Sequence, residues 1–173
     1  QELAAAFPAA AEVFQEVDEA LGENLSKLMF EGPEDTLTLT ENAQPALMAV
    51  SLAVMRVLES QGGVNLKTRA KYIAGHSLGE YSALAAGGTF SVSDAAKLLK
   101  TRGKAMQEAV PVGEGAMVAL LGLDMDVAAK VADDASQGGI CTAANDNANG
   151  QVVISGTKAA VERAIEISKK NGA

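Results

Sequence analysis

Hydrophobic residues recur at helical spacing through the first part of the chain, and this pattern predicts a layer of packed helices. Helices are expected at residues 2–21, 25–30, 41–60, 78–86 and 94–109. Pro8 is tolerated in the first turns of the first helix, and Thr40 is a candidate cap for helix 41–60. Apolar residues surround most of that helix, so we expect it to be largely buried. Residues 31–35 are expected to form a loop.

A short apolar segment at residues 71–75 is followed by a Gly-x-Ser-x-Gly pattern and then by a predicted helix. Strand, sharp turn and helix in this order are typical of a nucleophile elbow, with Ser77 at the turn. Gly75 and Gly79 would remove the Cβ atoms that clash where strand and helix meet. The Leu78 N–H would stand at the helix start beside the serine hydroxyl. The alternative is a tight turn that happens to contain a serine.

The pattern changes after residue 113. Short strands and amphipathic helices then alternate in the order β-α-β-β-α, at residues 116–123, 124–136, 140–144, 151–155 and 157–170. The Asn149-Gly150 pair predicts a hairpin turn between the last two strands. This order matches a ferredoxin-like βαββαβ unit without its last strand. The sequence therefore predicts an α/β protein, with residues 1–112 as part of an incomplete α/β hydrolase-like core and residues 113–173 as an inserted, truncated ferredoxin-like subdomain.

Composition narrows the class of protein. Of the 173 residues, 48% are hydrophobic but only 3% are aromatic, which indicates a packed core of aliphatic side chains. No apolar run is long enough to cross a bilayer, so we expect a soluble chain. The net charge of −8 argues against nucleic acid as a partner. The single cysteine, Cys141, excludes a disulfide framework, fits a reducing compartment and is expected to be a small buried hydrophobe.

A nucleophilic serine needs a base within hydrogen-bond reach. The chain has one histidine, His76, directly before Ser77. Because adjacent residues at an elbow point in different directions, we expect His76 to have a supporting structural role. A Ser-His hydrolase therefore cannot be completed from these residues. No metal site is expected, since no cluster has metal-ligand spacing, and Gly113-Glu114-Gly115 does not open a dinucleotide site because it precedes a strand.

Arg102 lies within helix 94–109, between apolar positions. Its spacing alone favours a solvated side chain on an exposed face. The alternative is a guanidinium turned into an acyl pocket, where its planar fork would bind a carboxylate through two hydrogen bonds. The pattern of residues leaves both interpretations open.

Several segments of the chain together carry a family resemblance. They are residues 40–47 on the long helix, 75–84 at the elbow, 102–107 around Arg102, 113–117 at the start of the second part and 149–156 at the hairpin. In this order they resemble the malonyl-CoA:acyl carrier protein transacylases of fatty acid synthesis. The elbow pattern occurs in many acyl-serine enzymes, whereas elbow, arginine and hairpin together are specific.

The resemblance implies that Ser77 accepts a malonyl group from coenzyme A as an ester. Ser77 would then pass the group to the phosphopantetheine thiol of acyl carrier protein. The resemblance also implies that Leu78 N–H is an oxyanion donor and that Arg102 binds the free malonyl carboxylate. Gln44 and His76 would be supporting residues.

No permanently bound cofactor is implied, because the coenzyme A thioester and phosphopantetheine are substrates. A cytoplasmic enzyme of the stand-alone bacterial type is expected, with acyl carrier protein as its partner and no nucleic acid or membrane.

Two features of this family are expected outside the chain. Its N-terminal Gly-Gln-Gly-Ser-Gln segment, which supplies a second oxyanion donor, would precede Gln1. Its catalytic histidine and the residue that orients this histidine would follow Ala173. The chain starts without Met and is expected to be the central portion of the enzyme, catalytically incomplete by itself.

Acyl carrier proteins of this pathway are acidic, so docking on this acidic chain would need a local basic patch. The candidates are Lys97, Lys100 and Lys104 on one helix, and Lys67, Arg69 and Lys71 before the elbow. Scattered solvated lysines are the alternative. Two other functions stay open: a serine esterase or thioesterase of α/β hydrolase type, and a non-catalytic fragment that binds acyl carrier protein.

Overall fold

The computed structural model describes residues 1–111 and 113–173, which divide into two compact units, Gln1–Ala109 and Val110–Ala173. The first unit contains α1 (Glu2–Ala6), α2 (Pro8–Leu21), α3 (Leu25–Glu31), α4 (Glu34–Leu37), α5 (Thr40–Ser60), α6 (Leu66–Arg69), α7 (Gly79–Ala86) and α8 (Val92–Ala109). The second contains β1 (Gly115–Leu121), α9 (Met125–Ser136), β2 (Cys141–Ala148), β3 (Gln151–Thr157) and α10 (Lys158–Lys170). The chain is therefore an α/β protein with a small antiparallel sheet. Within the described residues, no helix is long and apolar enough to cross a membrane.

Helix α5 is the centre of the first unit and packs against α2 and α8. Its packed face carries mostly small apolar residues, which allow the neighbouring helices to approach closely: Ala46, Met48, Ala49, Leu52 and Ala53. Large apolar residues remain exposed elsewhere on the helix: Leu47, Val50, Val54 and Leu58. The expectation that α5 is buried around most of its circumference is therefore wrong for the described residues, because its helical neighbours cover one side.

The first predicted helix is two helices. Phe7 is extended (φ −132°, ψ 114°) between α1 and α2, and Pro8 is the first residue of α2. A proline disfavours helical geometry in the residue before it, whereas its own missing N–H is tolerated at a helix start. The predicted loop at residues 31–35 is also partly wrong, because the short helix α4 begins within it at Glu34.

The segment before the elbow, residues 71–75, is not a strand, so this prediction is wrong for the described residues. The segment is exposed, and Tyr72 is 91% accessible. A strand needs backbone hydrogen bonds to a neighbouring strand. In the part of the chain that the structure describes, all paired strands belong to the second unit. The apolar residues at 71–75 are therefore not enough to form a strand, because no neighbouring strand among the described residues pairs with them.

The second unit has the predicted order β-α-β-β-α, and its strands pair in the spatial order β1-β3-β2. In the antiparallel register, Leu120 of β1 lies opposite Val152 of β3, and both are buried. Gly150, with φ +75°, allows the hairpin between β2 and β3. Helices α9 and α10 pack on the sheet through small and branched apolar residues: Ala128, Val131, Ala132, Ala160 and Ala164.

Local signals at the ends of the second unit's elements are only partly confirmed. The sequence offers either Asp124 or Asp126 as the cap of α9, and in the structure it is Asp124, whose carboxylate accepts the N–H of Val127 at 3.0 Å. The sequence also predicts Thr157 as the cap of α10; Thr157 does precede α10, but it makes no side-chain capping bond there. Cys141 is buried in the core of this unit, as expected, and burial raises the pKa of its thiol.

Candidate active site

The backbone at Ser77 adopts the left-handed conformation, with φ +57°. This conformation is uncommon for a residue with a side chain, and such strain is found where a turn is held for function. A Cβ on Gly75 would lie 1.9 Å from the carbonyl oxygen of Gly79, so no side chain fits there. The sharp, strained turn that the sequence predicts is therefore present, although the segment before it is not a strand.

Gly79 differs from Gly75. Among the described residues, no atom lies within 4 Å of the position that a Gly79 Cβ would take. The expectation that both glycines relieve a clash is therefore wrong for Gly79. The backbone of Gly79 lies against Gly75, but a Cβ on Gly79 would point away from this contact into open space.

The Leu78 N–H has the properties of an oxyanion donor. It directly follows Ser77 and precedes α7, where helical N–H groups give the helix start a positive partial charge. In residues 1–111 and 113–173, no acceptor is hydrogen-bonded to this N–H, whereas the next two amides bond the carbonyl oxygens of His76 and Ser77. The amide is thus available to a ligand oxygen near Ser77.

Arg102 of α8 lies beside Ser77. Its Nη2 donates to Ser77 Oγ at 3.1 Å, and its Nη1 donates to the Oε1 of Gln44 on α5. Ser77, Arg102 and Gln44, which are far apart in sequence, are therefore joined in one hydrogen-bonded chain. The sequence left open whether the guanidinium is solvated on an exposed face or turned inward. In the structure it is directed at Ser77 rather than into solvent alone.

Gly103 explains how Arg102 reaches this position. A Cβ on Gly103 would lie 2.5 Å from Glu41 Cα and 2.7 Å from the carbonyl oxygen of Thr40. Helix α8 therefore crosses the first turn of α5 with backbone against backbone, which only glycine allows. This close approach brings Arg102 within reach of Gln44.

Gln44 is 3% accessible and its amide is fully engaged. Its Nε2 donates to Thr40 Oγ1 at 2.8 Å and to Met106 Sδ at 3.4 Å. The arginine side chain has only donors, so the amide oxygen must face Arg102 and the amide nitrogen must face the other two groups. Gln44 thus has one orientation.

Sequence reasoning missed Thr40 in this role, because it treated Thr40 as a helix cap. Leu39 precedes α5 instead, and Thr40 is the first helical residue, placed four residues before Gln44. Met106 likewise lies four residues after Arg102, and Tyr81 contributes the aromatic ring nearest the guanidinium, 6.0 Å from Cζ to ring centroid. The spacing of four residues on α5 and α8 is the signal that could have found the first two. No local pattern points to Tyr81.

The remaining candidate residues lie outside this group. The side chain of His76 is exposed and, in the described part of the chain, makes no hydrogen bond to Ser77. No cluster of described His, Cys, Asp or Glu side chains could hold a metal ion.

Lys100 does not belong to a surface patch. Its Nζ donates to Glu23 Oε2 at 2.6 Å and to Asn42 Oδ1 at 2.8 Å, and its side chain is 11% accessible. The proposed docking patch of Lys97, Lys100 and Lys104 is therefore wrong, because the central lysine is buried in an ion pair. Lys67, Arg69 and Lys71 are all exposed.

The sequence matches a known protein family and named relatives. Residues 1–173 match the family described as the acyl transferase domain. The chain is 48% identical over its whole length to "Malonyl CoA-acyl carrier protein transacylase" of Bacillus subtilis (strain 168) and 47% identical over 99% of its length to the protein of the same name from Escherichia coli (strain K12). It covers 53% and 54% of these proteins, so the chain spans about half the length of the curated relatives it matches.

Solved structures agree with this match. The acyl-carrier-protein-S-malonyltransferase of Bartonella henselae is 57% identical, with a TM-score of 0.91 over 98% of this chain and 54% of that one. A malonyl-transacylase solved in complex with a type II PKS acyl-carrier protein is 45% identical, with a TM-score of 0.89 over 99% of this chain and 54% of that one. The family match extends over the whole chain, and the helices and small antiparallel sheet have the arrangement found in these malonyltransferases. The chain belongs to the acyl transferase domain family.

Proposed function

We propose that the full-length protein transfers a malonyl group from coenzyme A to the phosphopantetheine thiol of acyl carrier protein, in fatty acid synthesis. The observation that carries this proposal is the guanidinium of Arg102, whose Nη2 lies 3.1 Å from Ser77 Oγ. An acyl group on that oxygen would place a carboxylate at its far end within reach of the guanidinium. The names of the relatives agree, since they include malonyl transacylases and one in complex with an acyl carrier protein.

In the first half-reaction, Ser77 Oγ attacks the thioester carbonyl carbon of malonyl-CoA and loses its proton to a base. The carbonyl oxygen becomes an oxyanion, to which the Leu78 N–H donates; one such donor typically contributes about 10²–10³ in rate. The C–S bond then breaks, coenzyme A leaves as the thiol with the proton, and the malonyl group remains as an ester on Ser77.

The second half-reaction reverses these steps with a different thiol. The phosphopantetheine sulfur attacks the ester carbonyl, the C–Oγ bond breaks, and Ser77 Oγ regains a proton. Transfer rather than hydrolysis requires that water be kept from the ester. In the described residues no imidazole or carboxylate is hydrogen-bonded to Ser77, and the relatives are about twice as long, so we place the base in the full-length protein outside this chain.

Arg102 selects the acyl group in this proposal. In the described residues it has neutral hydrogen-bond partners, Ser77 and Gln44, and no carboxylate within ion-pair distance. A carboxylate on the substrate would exchange the Ser77 contact for a charge-assisted, two-bond pair with the planar fork. Gln44 orients that fork, and His76 supports the turn.

The finer architecture is also a proposal. Residues 1–112 form part of an α/β hydrolase-like core, and residues 113–173 form a ferredoxin-like subdomain without its last strand. The strained turn at Ser77 supports the first part, and the spatial order β1-β3-β2 supports the second. The boundary between the two includes Val112, which lies outside the described residues.

The proposal also covers localisation, cofactors and the partner surface. The protein is cytoplasmic, holds no permanent cofactor and uses the coenzyme A thioester and phosphopantetheine as substrates. The exposed cations Lys67, Arg69 and Lys71 are the remaining candidate patch for an acidic acyl carrier protein.

The test is to incubate the full-length protein with malonyl-CoA or acetyl-CoA, measure the intact mass and locate the acyl group by peptide mapping. We expect a malonyl ester on Ser77, none on Ser77→Ala, and little labelling by acetyl-CoA. Added holo-acyl carrier protein should remove the label as malonyl-acyl carrier protein.

Equal labelling by both thioesters would contradict the malonyl assignment. Release of free malonate faster than transfer would indicate the esterase or thioesterase alternative. Binding of acyl carrier protein without any label would indicate a non-catalytic protein.

A further inference from the structure

The ring of Tyr81 lies against the guanidinium of Arg102, with 6.0 Å from Cζ to the ring centroid. This distance is at the limit of the range in which a cation is attracted to an aromatic face. Tyr81 is in the first turn of α7, four residues after Ser77. The helix that follows the nucleophile therefore also carries the aromatic group nearest the substrate-binding cation.

The ring, rather than the hydroxyl, makes the contacts of Tyr81. The ring packs on Phe90, with centroids 6.5 Å apart and planes tilted by 32°, and it is half-buried against the core of the first unit. Among the described residues, the hydroxyl makes no hydrogen bond, and it is not one of the buried polar atoms without a partner. A Tyr81→Phe substitution therefore keeps the ring contacts with Phe90 and Arg102 and removes no hydrogen bond among the described residues.

The guanidinium is held in two different ways. Its Nη atoms bond Gln44 and Ser77, which restrain the fork within its plane. The bond to Ser77 must be released or shared when an acyl group occupies the serine oxygen. The Gln44 bond and the ring of Tyr81 remain in place when substrate is bound, and of these two the ring is the restraint on the face of the guanidinium.

From this arrangement we infer that Tyr81 is a positioning residue: its ring fixes the plane of the Arg102 guanidinium for the substrate carboxylate and so contributes to selection of carboxylate-bearing acyl groups over neutral ones. This inference rests on the proposed function. Loss of the ring should lower the ratio of kcat/KM for malonyl-CoA to that for acetyl-CoA by about 2- to 5-fold, which is the range that cation–π contacts at partly exposed sites cover. The change should be mainly in KM for malonyl-CoA.

The experiment measures acylation of Ser77 by both thioesters in the full-length protein, for wild type, Tyr81→Phe, Tyr81→Leu and Tyr81→Met. Of Tyr81→Leu and Tyr81→Met, the variant whose thermal unfolding midpoint is nearer that of wild type is used, so that a loss of stability does not affect the comparison. The phenylalanine variant should keep the wild-type ratio. In an Arg102→Ala background, removal of the ring should no longer change the ratio, because a positioning residue acts through the arginine.

An equal loss with both thioesters, a phenylalanine variant as impaired as the non-aromatic one, or an effect that persists without Arg102 would overturn the inference. The wild-type protein alone tests the proposed function, which would be refuted if no malonyl ester formed on Ser77. A malonylated wild type whose ratio is insensitive to the ring would refute only the role of Tyr81.

Discussion

Lys100 and Arg102 lie two residues apart on α8 and have different electrostatic partners. Lys100 is buried against Glu23, so its charge is compensated by a carboxylate, and Asn42 of α5 accepts a second hydrogen bond. Arg102 has a corresponding amide from α5, that of Gln44, but its other partner is the neutral hydroxyl of Ser77. The comparison shows that the charge of Lys100 is used within the protein, whereas the charge of Arg102 has no carboxylate partner among the described residues. In the proposed function that partner is the carboxylate of the substrate.

Helix geometry makes this separation possible. Two residues correspond to about 200° around a helix axis, so neighbouring cations point to different sides of α8. One side meets Glu23, which follows α2, and the other meets the turn at Ser77. Three substitutions on α8 test whether the two sides act independently.

Arg102→Ala should have the largest effect. In the proposed reaction the malonyl carboxylate then has no charged partner, and removing one member of such a pair typically costs about 2–5 kcal/mol. We expect kcat/KM for malonyl-CoA to fall by about 10²–10³-fold, with a much smaller change for acetyl-CoA, measured by Ser77 acylation kinetics. Arg102→Lys keeps the charge but not the planar fork and should be intermediate. A similar loss for both thioesters would show that Arg102 is not selective.

Gly103→Ala should disturb both sides of α8 at once. Its Cβ would lie 2.5 Å from Glu41 Cα, so the two helices must separate, and overpacking of this kind costs about 1–3 kcal/mol. We expect lower stability in urea unfolding together with lower malonyl selectivity, because Arg102 moves away from Gln44. The exposed neighbour Thr101 provides the control, Thr101→Ala, which should change neither. Alanine in place of glycine raises stability at a helical position with open space around it. Such an increase for Gly103→Ala would contradict the close approach of α8 to α5.

Lys100→Met should have the smallest effect, confined to stability. The side chain of Glu23 is 45% accessible and regains water, so we expect a loss of about 1–2 kcal/mol rather than the larger cost of a fully buried pair. The control is Lys97→Met, an exposed lysine on the same helix, expected to change stability by less than about 0.5 kcal/mol. Selectivity for malonyl-CoA should stay unchanged. If Lys100→Met altered selectivity without altering stability, the division between the two sides of α8 would be wrong.

Predictions that depend on neighbouring residues in sequence agreed best with the structure. The positive φ of Ser77 and the steric need for Gly75 follow from the turn itself, and the Asp124 cap is a bond between residues three apart. The order β-α-β-β-α is confirmed for the same reason, since each strand of that unit has a neighbour within a short stretch of chain. Residues 71–75 have a similar apolar character but no paired strand among the described residues, and they form none.

The sequence by itself determined the sharp turn at Ser77, the alternation of elements in the second unit and the resemblance to malonyl transacylases. It left Arg102 between two interpretations and placed Lys100 on the surface, because helical periodicity tells which residues share a face but not what that face meets. Only the tertiary structure decided these points: the crossing of α8 over α5 at Gly103 put Arg102 beside Ser77, and Glu23 and Asn42 enclosed Lys100. Contacts between segments distant in sequence depend on packing, and packing is not encoded in any local pattern.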